Sequence, residues 1–258
     1  MNFARLFIRF SLILSLLAQV TVSAKVAIRK PSSISSNDEI QDFLLLCWDH
    51  GAYRSGLQAL EQNKLNLPQP VFHWWRGTFF MATENYYLAE KEFACLDSMI
   101  AAVDPKTPFR FISLTGITEA ISMQMDRSNA DLYAKQAILL LSNQVEVNIG
   151  EKWPRFQMGM AFFNLAHNAR NNFTKADHEE FLKRYQEAGK LIALGRKILQ
   201  PLLLKYPGLE AWVEIQEGNY NTDLTFYWSE AKSQSGGFGV NSHKAEAVLH
   251  YQSARKNS

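Results

Sequence analysis

Histidines and carboxylates lie at two places in the sequence where they could bind a metal. A zinc site of the His-Glu-x-x-His type would require a second histidine four residues after His178, but that position is Leu182. The acids Glu179 and Glu180 are explained by a helix start, where the helix dipole favours negative charge. His243, Glu246 and His250 share one helical face. The two histidines are two turns apart, about 10 Å along the axis, which is too far for joint ligation. We therefore expect no metal site.

Enzyme motifs are also missing. The glycine-rich stretch at 235–239 follows a predicted helix and not a strand, so it lacks the context of a dinucleotide-binding loop. The stretch at 172–174 fits the glycosylation acceptor pattern, which has meaning only in a secreting eukaryote. Catalysis at Glu84, His73 or His178 is the least favoured alternative, because no nucleophile or acid/base pair has motif spacing. We expect no catalytic residue and no cofactor.

The first 24 residues have the pattern of a secretory signal peptide. Arg5 and Arg9 precede an apolar run from Phe10 to Val22, and Val22-Ser23-Ala24 is a small-residue cleavage site. The run is short for a membrane span, which takes about 20 apolar residues. A short uncleaved anchor is the alternative. We expect a secreted or periplasmic chain with no stable membrane anchor after cleavage, then a flexible linker at 25–36 and one folded domain at 37–258.

Composition indicates a globular domain and argues against nucleic acid as a partner. The 258 residues are 47% hydrophobic and 20% charged, which is enough to bury a sizeable core. Without Arg5 and Arg9 the formal charge falls from +2 to 0. Phosphate binding needs a basic stripe, and a near-neutral chain does not supply one.

The two cysteines could form one disulfide in a secreted protein. Cys47 falls on the first helix of the first predicted hairpin and Cys95 on the second helix of the next. These helices are not immediate neighbours in a stack of hairpins. We therefore favour two buried free thiols and keep the disulfide as the alternative.

Helical periodicity runs through the chain from Ser36 onward. Ser36 and Glu39 have the spacing of a capping box, and apolar residues follow at i, i+3 and i+4. No useful run of alternating apolar and polar residues predicts a strand. The predicted helices run from 40 to 48, 53 to 63, 109 to 125, 130 to 141, 156 to 169, 175 to 199, 209 to 216, 222 to 232 and 242 to 254, besides two more helices in the stretch from 70 to 105.

The stretch from Pro70 to Pro105 carries small and aromatic residues at defined positions. Gly77 and Phe80 precede a polar break, and Tyr86, Ala89 and Phe93 follow it. This pattern resembles the tetratricopeptide repeat, in which small residues allow two helices to approach and aromatics fill the space beside them. The match has departures: the motif usually has Trp and Leu where this chain has His73 and Arg76, and Pro105 comes about one turn late.

The preceding hairpin repeats the pattern 33 residues earlier. Tyr53 corresponds to Tyr86 and Gly56 to Ala89. An offset close to 34 residues is the tetratricopeptide period. The period drifts in later hairpins, so the resemblance covers 37–105 best and extends weakly to Pro207. It implies an all-α fold, a right-handed superhelix of stacked antiparallel helical hairpins.

The resemblance also implies a concave surface formed by the first helix of each hairpin. Trp48, Trp74 and Met81 would form an apolar strip there, with Thr78 beside it and with Gln41 and Arg76 as polar anchors for a partner. The alternative is that these aromatics belong to the core, as apolar residues at helical spacing usually do. We expect Trp74→Ala to weaken partner binding without unfolding the chain; a collapse of thermal stability would instead place Trp74 in the core.

The expected function is a non-catalytic interaction module that binds a protein or peptide in this groove. The alternative is a helical protein that binds a small apolar ligand and is associated with a solute transporter. An enclosed apolar pocket, and not an open groove, would favour that alternative.

Overall fold

The computed structural model describes residues 36–107, 109–142, 152–171 and 178–232. Within these ranges the chain forms nine α-helices and one 3-10 turn, with no strand, so the all-α class is confirmed. The helices are α1 (Asn37–Asp49), α2 (Tyr53–Gln62), α3 (Gln69–Ala82), α4 (Tyr86–Val103), α5 (Phe109–Met123), α6 (Arg127–Ser142), α7 (Lys152–Asn171), α8 (His178–Leu203) and α9 (Pro207–Lys232).

Each helix packs against the next one in the chain. Non-consecutive helices also pack together: α5 packs extensively on α7, α3 packs on α5, and the last described helix, α9, reaches back to α1. The first, third, fifth and seventh helices therefore face a common interior, and α9 adds its first turns to that interior.

The start of α1 is the predicted capping box. The Glu39 backbone N–H donates to Ser36 Oγ at 3.3 Å, and the Ser36 N–H donates to Glu39 Oε2 at 3.3 Å. These bonds use two donors that a helix start would otherwise leave without partners. The prediction of the first helix is confirmed at this end.

Phe93 on α4 fills the space left by two glycines on the helices beside it. A Cβ atom at Gly77 would lie 2.9 Å from the Phe93 ring, and one at Gly116 would lie 2.7 Å from it. Both distances are shorter than ordinary carbon contacts, so the ring needs glycine on both sides. The predicted contact between the small residue at 77 and the aromatic residue at 93 is present.

The predicted short hairpin at 209–216 and 222–232 is wrong, because α9 is one continuous helix. The polar stretch around Asn221 predicts a turn, but packing against α8 outweighs that local preference. The Tyr220 hydroxyl donates to the Tyr185 carbonyl at 3.1 Å, and Asn221 is buried. Arg196 on α8 pairs with both Glu214 and Glu217 on the same stretch.

The cysteines are both free thiols. Cys47 is buried in α1, and burial raises its pKa to about 11, which keeps it protonated and unreactive at neutral pH. Cys95 is exposed on α4, so the prediction that both are buried is wrong for Cys95. It lies on the outer side of the hairpin and not against its neighbours.

Some sequence predictions fall outside the described residues. These are the signal peptide at 1–24, the linker up to residue 35, the glycosylation pattern at 172–174, the glycine-rich stretch at 235–239 and the final helix at 242–254. They stay predictions from sequence.

The end of α1 holds the start of α9 through Asp49. The Leu209 backbone N–H donates to Asp49 Oδ1 at 2.7 Å, so a carboxylate 160 residues earlier in the chain takes the place of an N-cap. Gly208 is needed here, because a Cβ atom would overlap the Asp49 carbonyl oxygen. Burial raises the Asp49 pKa, and the bonds from Leu209 and Gly208 and the nearby His50 oppose that rise.

Substitution of Asp49 should separate the hydrogen bond from the charge. Asp49→Ala removes the acceptor for the Leu209 N–H and should lower the free energy of unfolding by about 0.5 to 2 kcal/mol. Asp49→Asn keeps an oxygen that can accept this bond, so it should lower the free energy of unfolding by less than Asp49→Ala does. Both are measured by denaturant unfolding monitored by circular dichroism, and equal stability of the two variants would contradict the assigned bond.

The stability of the wild type and of Asp49→Asn should also depend differently on pH. A raised pKa means that the Asp49 contribution is most favourable below the ordinary value of 3.8 and is lost as the pH rises through the folded-state pKa. Asp49→Asn cannot ionise. Its stability relative to the wild type should therefore rise with pH above about 4.

Candidate functional site

The structure buries most of the residues predicted to bind a partner. Trp48 and Trp74 are 8% and 4% exposed, and Gln41 and Thr78 are buried as well. Met81 is partly exposed. The two tryptophans therefore do not form an exposed strip on the concave side of the hairpins.

The cover is helix α7, which lies across α1 and α3. The Phe156 ring on α7 has its centroid 5.7 Å from that of Trp48 and 5.6 Å from that of Trp74, both edge to face. Phe156 also stacks on Trp75 at 5.8 Å. Such aromatic pairs add about 0.5 to 1.5 kcal/mol each beyond the area they bury. The aromatic strip predicted from sequence is thus one wall of the interior.

Helix α9 completes the cover. Trp212 packs edge to face on Trp48, with centroids 5.9 Å apart, and on Phe163 of α7, with centroids 5.0 Å apart. The contact of Asp49 with the start of α9 places Trp212 at this position. The interior therefore has aromatic walls on both sides.

A partly open cavity of about 210 Å³ remains between these walls. Helices α1, α3, α4, α5, α7 and α9 contribute to its lining, together with Tyr53 at the start of α2. Four of the six predicted binding residues line it: Trp48, Trp74, Thr78 and Met81. Small side chains leave the space, because Ala82, Gly116 and Ala161 also face it.

The other two predicted residues lie elsewhere. Arg76 Nε is 3.2 Å from Glu61 Oε1, close enough for an ion pair although not aligned as a hydrogen bond, and Arg76 Nη1 is 3.3 Å from Glu92 Oε1. Glu92 also bonds His73 Nδ1 at 2.8 Å. Arg76 and His73 thus join α3 to its neighbours and do not reach the cavity. Gln41 is buried, but it is not part of the cavity lining.

One carboxylate lies on the cavity wall, and the sequence analysis did not select it. Glu119 Oε1 is 2.6 Å from His167 Nδ1 on α7. Glu119 Oε2 is buried and accepts no hydrogen bond from the described residues. Glu119 also acts on a neighbouring phenol. The pKa of Tyr86 is raised mainly by burial and further by the nearby charges of Glu84 and Glu119. A buried acceptor without a donor is costly, which marks this oxygen as a point for ligand contact.

A sequence signal for Glu119 did exist. It is the single charged residue between Phe111 and Met123, a stretch of otherwise apolar, small or hydroxyl side chains. A lone carboxylate in a buried helix needs a partner. His167, its partner, lies 48 residues away on another helix, and no spacing pattern links the two.

A second hollow lies on the outside, where α3 begins, α4 ends and α5 begins. Its volume is about 320 Å³ and its lining is mainly apolar, with Val71, Ile100, Val103 and Phe109. We call it the outer groove. Val103 is 89% exposed and Phe109 is 46% exposed. Trp74, Ile112 and Gln157 line both the outer groove and the cavity, so one layer of side chains separates them.

In the part of the chain that the structure describes, no three His, Cys, Asp or Glu residues lie close enough to hold a metal ion. Among the same residues, no helix is both long and apolar enough to cross a membrane. Comparison with known proteins finds no matching family model and no similar curated protein.

Trp74→Ala should destabilise the protein by about 3 to 5 kcal/mol, because it removes a buried indole that packs on Phe156 and Trp75. Tyr87→Ala, which removes an aromatic ring that is 58% exposed on α4, is the matched control and should have an effect within about 0.5 kcal/mol. Thermal and denaturant unfolding measure both. A loss for Trp74→Ala as small as that of the control would mean that Trp74 is free to bind a partner at the surface.

Proposed function

We propose that this protein is a non-catalytic binding protein of tetratricopeptide-like architecture whose site is the interior cavity, and that its ligand is a small molecule. The architecture is supported by the 33-residue correspondence of the first two hairpins and by the packing of Phe93 against Gly77. It is also supported by helices that pack in chain order. A right-handed superhelix of such hairpins is part of the proposal.

The observation that carries the choice of ligand is the cavity itself. Ligand pockets are concave and mostly apolar, with a few polar groups that fix orientation. This cavity has indole and phenyl walls, two methionines and the carboxylate of Glu119. At about 210 Å³ it is larger than the cavity of about 150 Å³ that holds benzene in an engineered protein core. A ligand of roughly ten non-hydrogen atoms fits that scale.

Burial of the tryptophans argues against an open peptide groove on the concave side. Hot-spot residues for a protein partner must be accessible before binding. Trp48 and Trp74 already make their contacts within the chain, with Phe156 and Trp212. These contacts support the small-molecule alternative; its association with a solute transporter stays a prediction from the sequence.

A protein or peptide partner is the second candidate, and the outer groove supports it. Exposed apolar side chains such as Val103 and Phe109 are of the kind that bind apolar anchors of a peptide. Its volume, about 320 Å³, is that of a pocket for one or two side chains. This site would use Trp74 only through its edge.

Export of the chain belongs to the proposal as well. It is supported by the signal-peptide pattern at 1–24 and by the near-neutral remainder of the sequence. A secreted or periplasmic binding protein would meet small molecules outside the cytoplasm. The tests below use the chain from Lys25 onward.

Ligand-observed NMR with a library of fragments of eight to twelve non-hydrogen atoms tests the cavity. Ala161→Leu adds three carbon atoms to a residue of the lining and should abolish binding of the fragments that the wild type retains. Ala102→Leu, a change of the same size at an exposed position, is the control and should bind as the wild type does. Circular dichroism and thermal unfolding establish that each variant is folded.

The result that would contradict the proposal is a wild-type chain that binds no fragment, or fragments that bind equally to Ala161→Leu. Fragments that are lost in Val103→Asp and kept in Ala161→Leu would move the site to the outer groove. That outcome would favour the second candidate.

A further inference from the structure

The cavity has a single acidic side chain in its lining. That residue is Glu119, and the other lining residues are apolar, aromatic, hydroxyl or amide side chains, with no lysine or arginine. Burial and the charge of Asp49 raise the pKa of Tyr53, the one phenol of the lining, so Tyr53 stays neutral. The lining therefore has one carboxyl group and no lysine or arginine to pair with it.

Two of the polar groups in the lining already have hydrogen bonds within the protein. The Thr78 hydroxyl donates to the Trp74 carbonyl of its own helix at 2.9 Å. Glu119 receives its hydrogen bond from His167 at Oε1. Oε2 remains as a buried acceptor that the described residues do not satisfy.

The remaining wall suits a flat or cationic group. Trp48 and Trp74 both line the cavity, and Met81 and Met160 complete its apolar surface. Indole is the aromatic ring with the strongest attraction for a cation, and the attraction grows when the cation is desolvated. A buried carboxylate and indole walls thus favour the same sign of charge in a ligand.

From these contacts we propose that the cavity binds a small organic cation, an amine with an apolar or aromatic body. The ammonium group donates to Glu119 Oε2, and the apolar body lies against Trp48 and Trp74. The proposal rests on the proposed function, because it assigns the ligand class of the same cavity. It goes further in naming Glu119 as the residue that selects charge.

The binding of three molecules of equal scaffold tests the selection of charge. The probes are 2-phenylethylamine, the neutral 2-phenylethanol and the anionic phenylacetate, each measured by titration calorimetry and by shifts of the Trp48 and Trp74 indole N–H signals in NMR. The wild type should bind the amine about tenfold or more tightly than the alcohol, because the ammonium adds the attraction between opposite charges to the hydrogen bond that the hydroxyl can also make. Phenylacetate should bind most weakly.

Two variants locate the preference. Glu119→Gln keeps the shape of the side chain and removes its charge. In this variant the dissociation constants of the amine and the alcohol should differ by no more than about threefold. Glu187→Gln removes a charge from an exposed position on α8, outside the cavity lining, and should leave the preference unchanged. Even if Glu119→Gln does not fold, the ratio of the dissociation constants of amine and alcohol for the wild type shows whether the cavity prefers a cation.

The outcomes separate the two claims. If the wild type binds the alcohol as tightly as the amine, and Ala161→Leu abolishes both, the charge proposal is overturned while the cavity remains the site. If none of the probes binds the wild type or shifts the indole signals, and the fragment library also yields no ligand, both the charge proposal and the proposed function are overturned. An amine preference that persists in Glu119→Gln would place the selecting charge elsewhere and overturn the role of Glu119.

Discussion

The packing of Phe156 against three tryptophans is the interaction on which the rest of this structure depends. Phe156 brings α7 onto α1 and α3 through Trp48, Trp74 and Trp75. Without that contact the first two hairpins would present their aromatic side chains to solvent, at a large cost in buried apolar area. With it, the inner faces of the hairpins become a closed interior, and the space that the small residues leave there becomes a cavity.

The cavity and its charge follow from the same packing. The α5 helix is almost free of charge, and it has to pass close to α4 and α7 for Phe93 and Phe162 to pack. That passage leaves the Glu119 side chain only 13% exposed, and His167 on α7 supplies one hydrogen bond to it. Stability alone does not require this carboxylate, because apolar side chains in place of both Glu119 and His167 are often as stable or more stable. Its presence on the cavity wall is the feature that a binding function would explain.

Local features of the fold could be predicted from the sequence, and long-range ones could not. The helical class, the Ser36 capping box and the pairing of Gly77 with Phe93 all have spacings within one or two helices. The cover of Trp48 by Phe156 joins residues 108 positions apart, and no periodicity records such a contact. The continuous α9 was missed for a related reason: local preference predicts a turn, and the contact of Tyr220 with α8 outweighs it. The candidate site was predicted in part, since Trp48, Trp74, Thr78 and Met81 do meet in one place, but as a cavity wall and not an open groove.

Hydroxyl-radical footprinting with a mass-spectrometric readout is the most direct test that α7 and α9 cover the aromatic interior. It compares the oxidation rates of Trp48 and Trp74 with that of Tyr87 on the same folded chain. Tyr87 is 58% exposed and the two tryptophans are less than one tenth exposed. The account predicts that Trp48 and Trp74 are oxidised much more slowly than Tyr87, even though indole is intrinsically reactive. Oxidation of both tryptophans at the rate of Tyr87 would mean that the inner face is open, and the cavity would not exist as described.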